Sequence, residues 1–289
     1  MDLTLLGTGC PQCDPDRMGP ANLVRHAGAG FLVDCGSGVT QRLVQAGFSG
    51  AALDALFLTH LHTDHLVDFY QLVISSWHQG RDRPQRVIGP PGTKRFVAAT
   101  MELWRVEREL RIAHEKRPST RAFEIDATEI GPGEAWNAGG VRVTAVAVAH
   151  QPVTHAFGFV FEAGGRRLAL SGDTAYCPAL IEAARGADVL VHECFIHREM
   201  KPSATRSAEG LRNVAGYHTL SDEVGRVARE AGVGLLVLNH FVPTRFDRVA
   251  LVAEVRREWK GPLIVGEDLM AYDLDARTLR HRDGVVALP

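Results

Sequence analysis

The chain has 289 residues, 45% of them hydrophobic and 23% charged, with a formal net charge of −2. This composition supplies a core for one large domain or two small ones and excludes wholesale disorder. A balance so close to neutral excludes a globally basic polyanion binder and leaves only a local basic patch for that role.

In chain order, an apolar strand is predicted over Asp2–Leu6, running into Gly7-Thr8-Gly9. A second strand, Gly30–Asp34, ends in Asp34-Cys35-Gly36-Ser37-Gly38, and helical spacing follows over Val39–Ala46. Ala55–Thr59 is a short apolar strand that stops at Thr59-His60-Leu61-His62-Thr63-Asp64-His65. A helix is predicted over Leu66–Trp77, a short strand over Val87–Gly89, and a helix or helix pair over Thr93–Lys116. In this last segment opposite charges recur three or four residues apart, which marks a solvated face in preference to a lid or a dimer contact. Val141–His150 alternates as a strand, and Ala156–Glu162 with Arg167–Ser171 reads as a hairpin. Strands and helices then alternate: helix Ala179–Ala184, strand Asp188–His192, helix Leu220–Ala231, strand Gly234–Asn239, helix Val249–Lys260, strand Leu263–Gly266. This order predicts sheets packed face to face with helices outside, in a single domain over residues 1–289 with a helical segment at about 93–120.

No apolar run is long enough to cross a bilayer, and the N-terminus lacks the basic start and long apolar core of a secretory signal. Five sparse cysteines imply no disulfide framework, so a cytoplasmic protein is expected. Cys10-Pro11-Gln12-Cys13 has CxxC spacing but no second pair, which favours coincidence over zinc or redox chemistry. Trp77, His78, Trp104 and Tyr176 are candidate pocket walls, with core packing the weightier reading.

Chemistry concentrates at the histidine cluster. His60 and His62 lie two apart on an extended stretch and point the same way, so they can bite one metal together. A helix starting near Asp64 would turn Asp64 and His65 toward a neighbouring point. Burying three histidines and an aspartate unpaired would cost several kcal/mol each, on the order of a whole domain's stability, so a metal site is the better account. Imidazole and carboxylate suit zinc and similar divalent ions. His150, Asp173 and His240 each follow an apolar strand and complete a two-metal set.

With these residues the chain resembles the metallo-β-lactamase superfamily, whose HxHxDH motif is His60-x-His62-x-Asp64-His65 here. The resemblance implies an α/β four-layer αβ/βα sandwich. It implies His60, His62 and His150 on one metal, Asp64, His65 and His240 on the other, and Asp173 bridging both, with hydrolysis by a hydroxide held between them. Zinc is expected, with manganese or iron as alternatives. Within the superfamily the chain is most similar to the ribonuclease Z and arylsulfatase-like branch. Leu6-Gly7-Thr8-Gly9-Cys10-Pro11, the Asp34–Gly38 turn, Ser171-Gly172-Asp173-Thr174, a HEAT-like His192-Glu193-Cys194-Phe195 and an HST-like His218-Thr219-Leu220 carry that likeness. They imply His218 as a catalytic helper paired with Glu193, and Asp64 as a ligand that also serves the nucleophile.

Ribonuclease Z carries a long Gly/Pro-rich arm between its third and fourth ligand motifs. Only 22 residues separate His150 from Asp173 here. A small-molecule ester (aryl sulfate or phosphodiester) is therefore the expected substrate, with ribonuclease Z-type transfer-RNA 3′ processing as the alternative and a lactonase or thioesterase as a further one. The family also implies a homodimer, which a monomeric mass in light scattering would discard.

Overall fold

The computed structural model describes residues 1–282 and 284–288. The chain first lays down β1 (Asp2–Gly7), β2 (Ala21–His26), β3 (Ala29–Val33), β4 (Ala55–Phe57), β5 (Gln85–Gly89) and β6 (Ile125–Glu129) as neighbours in one sheet. It then builds a second sheet from β7 (Ala135–Ala138), β8 (Val141–Ala147), β9 (Phe157–Ala163), β10 (Arg166–Leu170), β11 (Val189–Phe195), β12 (Leu235–Val242) and β13 (Leu263–Val265). Finally β14 (Ala271–Asp273), β15 (Thr278–His281) and β16 (Gly284–Ala287) return to the first sheet beside β1.

The first sheet is covered by α1 (Val39–Gln45), α2 (Phe69–His78) and α3 (Thr93–Leu103), with α4 (Arg105–Glu115) beyond α3. Outside the second sheet lie α5 (Pro178–Ala183), α7 (Val224–Ala231) and α8 (Arg248–Glu258), while α6 (Ala208–Ala215) packs against a small cluster of Cys10, Phe195 and Val242. Three apolar clusters separate the four layers. The central one joins Phe31 and Phe57 of the first sheet to Phe159 and Phe161 of the second. The other two lie between each sheet and its helices. This is the predicted αβ/βα sandwich.

The strand patterns follow from that placement. β11 and β12 are buried along their whole length because sheet and helices cover both faces, so they read as apolar runs. β8 alternates because one face is solvated. Phe57 meets Phe159, Phe161 and Trp136 edge-on with centroids 5.3–5.6 Å apart. Phe57→Ala is expected to cost about 3–5 kcal/mol, read as a lowered midpoint in urea unfolding at unchanged slope.

Several expectations shift in detail. The helix or helix pair predicted over Thr93–Lys116 is the pair, broken at Trp104, and no residue of α4 is buried. The helix after His65 begins at Phe69, and a 3₁₀ turn over Thr63–His65 precedes it. The strand ending at His150 stops at Ala147, and the helix from Leu220 begins at Val224. Among the described residues no helix is long and apolar enough to cross a membrane.

Candidate metal centre

β4 delivers the chain to His60, and the 3₁₀ turn brings Asp64 and His65 round behind it. His150 arrives from beyond β8, Asp173 from beyond β10, and His240 from within β12. All seven predicted ligands lie at one edge of the sandwich.

Three imidazole nitrogens converge first. His60 Nε2 lies 2.9 Å from His62 Nδ1, which is 3.2 Å from His150 Nε2. Zinc–nitrogen bonds of about 2.0–2.1 Å at tetrahedral angles set ligand nitrogens about 3.3 Å apart, so these contacts match a shared cation. Asp173 Oδ2 stands 4.0 Å from His60 Nε2 and 3.9 Å from His150 Nε2. On its other side, Asp173 Oδ2 is 3.3 Å from His240 Nε2 and Oδ1 is 3.5 Å from His65 Nε2. Asp64 Oδ2 completes this second group, 3.5 Å from His65 Nε2 and 3.4 Å from His240 Nε2. Asp173 thus borders both groups.

His65 Nε2, His240 Nε2 and Asp173 Oδ1 are buried without a hydrogen-bond partner. Leaving such atoms unpaired costs about 1–3 kcal/mol each. A divalent cation in each group would engage them, so the donor set fits two metals.

Electrostatics divide the groups. Burial holds His60 well below the ordinary histidine range and also lowers His62 and His150, leaving all three neutral and ready to ligate. Burial likewise opposes charge on His65 and His240, but carboxylates outweigh it and raise both, Asp173 leading in each case. Burial opposes ionisation of Asp173, yet His240, His65 and His60 hold its carboxyl well below the usual range.

A sequence profile of the beta-lactamase superfamily domain matches residues 30–241, which span every one of these groups. This chain belongs to the metallo-β-lactamase superfamily. A protein named Ribonuclease Z from Mycolicibacterium paratuberculosis is 39% identical over 287 residues, covering 96% of this chain and 99% of that one. A Ribonuclease Z of Mycobacterium tuberculosis strain H37Rv is 37% identical over 282 residues, covering 96% and 99%. Among solved structures, the metallo-β-lactamase fold protein YhfI of Bacillus subtilis superposes with a TM-score of 0.74 at 21% identity, covering 94% of this chain and 98% of that chain. Human tRNase Z, short form, superposes with a TM-score of 0.71 at 22% identity, covering 95% and 99%.

Around the superfamily's ligand motif stand groups that sequence reasoning left without a role. Asp34 Oδ2 lies 2.8 Å from His65 Nδ1, and Asp34 Oδ1 accepts the Thr59 amide at 2.8 Å. This fixes the His65 tautomer with Nε2 turned to the centre. Asp34 adopts φ +63°, a conformation unusual for a side chain-bearing residue. A Cβ at Gly36 would stand 2.4 Å from the Asp64 carbonyl, so the D-x-G-x-G turn can pass under the motif only as glycine there. The spacing of that turn flagged the segment but not the contact. Asp34→Ala is expected to weaken metal affinity roughly 10–100-fold, measured by competition with a chromogenic chelator. His150 Nδ1 is 2.9 Å from the Tyr217 carbonyl oxygen, and Thr59 Oγ1 is 3.0 Å from His60 Nδ1.

Glu193 and His218 are brought together as a pair. Glu193 Oε1 lies 2.8 Å from His218 Nδ1 and accepts the Thr174 and Thr219 amides, each at 3.1 Å. The His218 ring stands 5.3 Å from that of His150 and 5.8 Å from that of His240. Other candidates fall elsewhere. Trp77 is core, its indole N–H bonded to the Ser119 carbonyl, Trp104 stacks on Tyr70, and Tyr176 bonds Glu230. Cys10 is buried against Phe195 and Val242 while Cys13 is exposed, and both are free.

Proposed function

We propose that the chain is a metal-dependent phosphodiesterase of the ribonuclease Z type, acting on RNA with a transfer-RNA precursor as its substrate class. The observation that carries this reading is the end-to-end likeness, 39% over 287 residues, to a protein named Ribonuclease Z. It ranks RNA above the small ester expected from sequence. That expectation leaned on the missing arm, yet a relative matched over 99% of its own length carries the name at this chain length.

His60, His62 and His150 would hold one divalent cation and Asp64, His65 and His240 a second, with Asp173 between them. Bound there, two such ions acidify water and offset charge on phosphoryl oxygens. Zinc suits the nitrogen-rich donors. Asp64 would orient the attacking water and take up its proton. His218, with Nδ1 committed to Glu193, keeps Nε2 for donation to the leaving oxygen. Glu193 acts through His218 as a positioning residue.

The test is a panel of a 3′-extended transfer-RNA precursor, an aryl phosphodiester, an aryl sulfate and a lactone, assayed with zinc-loaded protein. The reading expects endonucleolytic cleavage of the RNA with the highest kcat/KM of the set. Faster turnover of the sulfate or the lactone refutes it.

A further inference from the structure

A cleft of about 960 Å³ lies beside the metal centre. Six arginines from separate segments line it: Arg17, Arg42, Arg245, Arg248, Arg280 and Arg282. Carboxylates line it too, but the two signs sit at different depths. The side chain of Asp14 is 6% exposed and accepts Arg245 Nε at 2.8 Å, while Arg245 itself is 75% exposed. Asp268, 4% exposed, bonds the Thr8 and Met18 amides at 2.9 and 2.8 Å as well as Arg42. Arg282 is 79% exposed and 3.7 Å from the less exposed Glu267, which also pairs with Arg248. Arg280 is exposed on β15 with no ion-pair partner among the described residues. Asp16 is exposed and Glu267, at 30%, is more exposed than Arg42 at 17%, but Arg245, Arg280 and Arg282 stand on the rim and the six arginines outnumber the four lining carboxylates, so the cleft presents mainly positive charge to solvent.

The cleft adjoins the metal centre through a shared wall. The Arg17 guanidinium lies 4.6 Å over the ring of Phe241, the residue after His240, and donates to Thr8 Oγ1 at 2.6 Å. The Thr8 carbonyl in turn accepts the Phe241 amide at 3.1 Å. Meanwhile the stretch between His150 and Asp173 is consumed by β9, β10 and their turn, so it offers no arm to hold a long substrate.

We infer that this arginine cleft binds the phosphate backbone of the RNA strand that reaches the metal centre. The inference rests on the ribonuclease reading. Planar guanidinium forks match phosphate oxygens, and each neutralised phosphate releases condensed counterions, so such a grip has a measurable salt signature.

The probe is a 3′-extended transfer-RNA precursor, with binding to calcium-exchanged or zinc-loaded protein measured between 50 and 300 mM salt. Arg280→Ala with Arg282→Ala is compared with wild type and with Arg280→Lys with Arg282→Lys. The alanine pair is expected to lose roughly tenfold to thirtyfold in affinity at about 0.15 M salt and to flatten the slope of log Kd against log salt by about two. The lysine pair should retain most of the slope. Both arginines are on exposed positions, and a circular-dichroism melt within a few degrees of wild type confirms folding. Wild type that cleaves the RNA while the alanine pair keeps its Kd and slope overturns the cleft and spares the ribonuclease reading. Arginine-dependent binding without cleavage does the reverse. No RNA binding by wild type overturns both.

Discussion

Asp173→Ala is expected to abolish turnover and to leave no more than one of two cations bound after dialysis. Asp173 offers carboxylate oxygens to both ligand groups, 3.3 and 3.5 Å from His240 and His65 on one side and 3.9–4.0 Å from His150 and His60 on the other. Its loss removes a donor from each group and the negative charge that sets the spacing of four histidines. A metal pair supplies several kcal/mol of stabilisation to the transition state, so activity should fall about a thousandfold or more. Elemental analysis gives the second readout. Two equivalents retained by the variant, with activity within tenfold of wild type, would exclude the assigned bridging role. Asp173→Asn preserves shape, so a loss of metal in both variants identifies charge as the cause.

His218→Ala should separate chemistry from metal binding. The imidazole is pinned by Glu193 and touches no predicted ligand through a hydrogen bond, so both cations should remain. The rate should fall about 10²–10⁴-fold, as when a positioned proton donor is lost. The pair also predicts a pH dependence. Burial disfavours the imidazolium, but the Glu193 carboxylate and its hydrogen bond to Nδ1 win and push His218 up to about 9. The unfolded value is about 6.5, so in metal-free protein the pair's stabilisation is complete below about 6.5 and is lost as pH rises through about 9. Glu193→Gln leaves burial opposed mainly by the Asp173 carboxylate and should lower the value of the ring, seen by titrating its NMR resonance. A ring that still titrates near that of wild type would remove Glu193 from the positioning role.

Much of this was legible because two local patterns carry it. Residues i and i+2 on an extended strand share a side, which made His60 and His62 a pair before any coordinates. Apolar strands in layered α/β folds deliver polar residues at one edge, which picked out His150 and Asp173. What stayed hidden depends on contacts between distant segments. Nothing local to Asp34 shows that its carboxylate will meet His65. Nothing in Tyr217 shows that its carbonyl will meet His150. β2, with an asparagine, an arginine and a histidine among six residues, reads as a loop until β1 and β3 pair with it. β14–β16 likewise form strands because β1 offers an edge. The likeness to proteins named Ribonuclease Z favours the substrate class that the sequence reading placed second, for a related reason. A short insert shows where a grip is missing, whereas the six arginines of the cleft come together only on folding.

His240 joins the fold to its chemistry in one further respect. Along β11 and β12 the register steps from Glu193 opposite Asn239 to Cys194 opposite Phe241, so His240 is the extra residue of a bulge, with φ +41°. Such a conformation costs an ordinary side chain on the order of 1–3 kcal/mol and persists only where its surroundings enforce it. The β11–β12 pair of the second sheet is therefore strained at the same residue whose imidazole would grip a cation. Occupancy of that grip and the tightness of the surrounding amide ladder become a single equilibrium, so chelation would be felt as loosening deep in the sheet as well as at the rim where the ion sits.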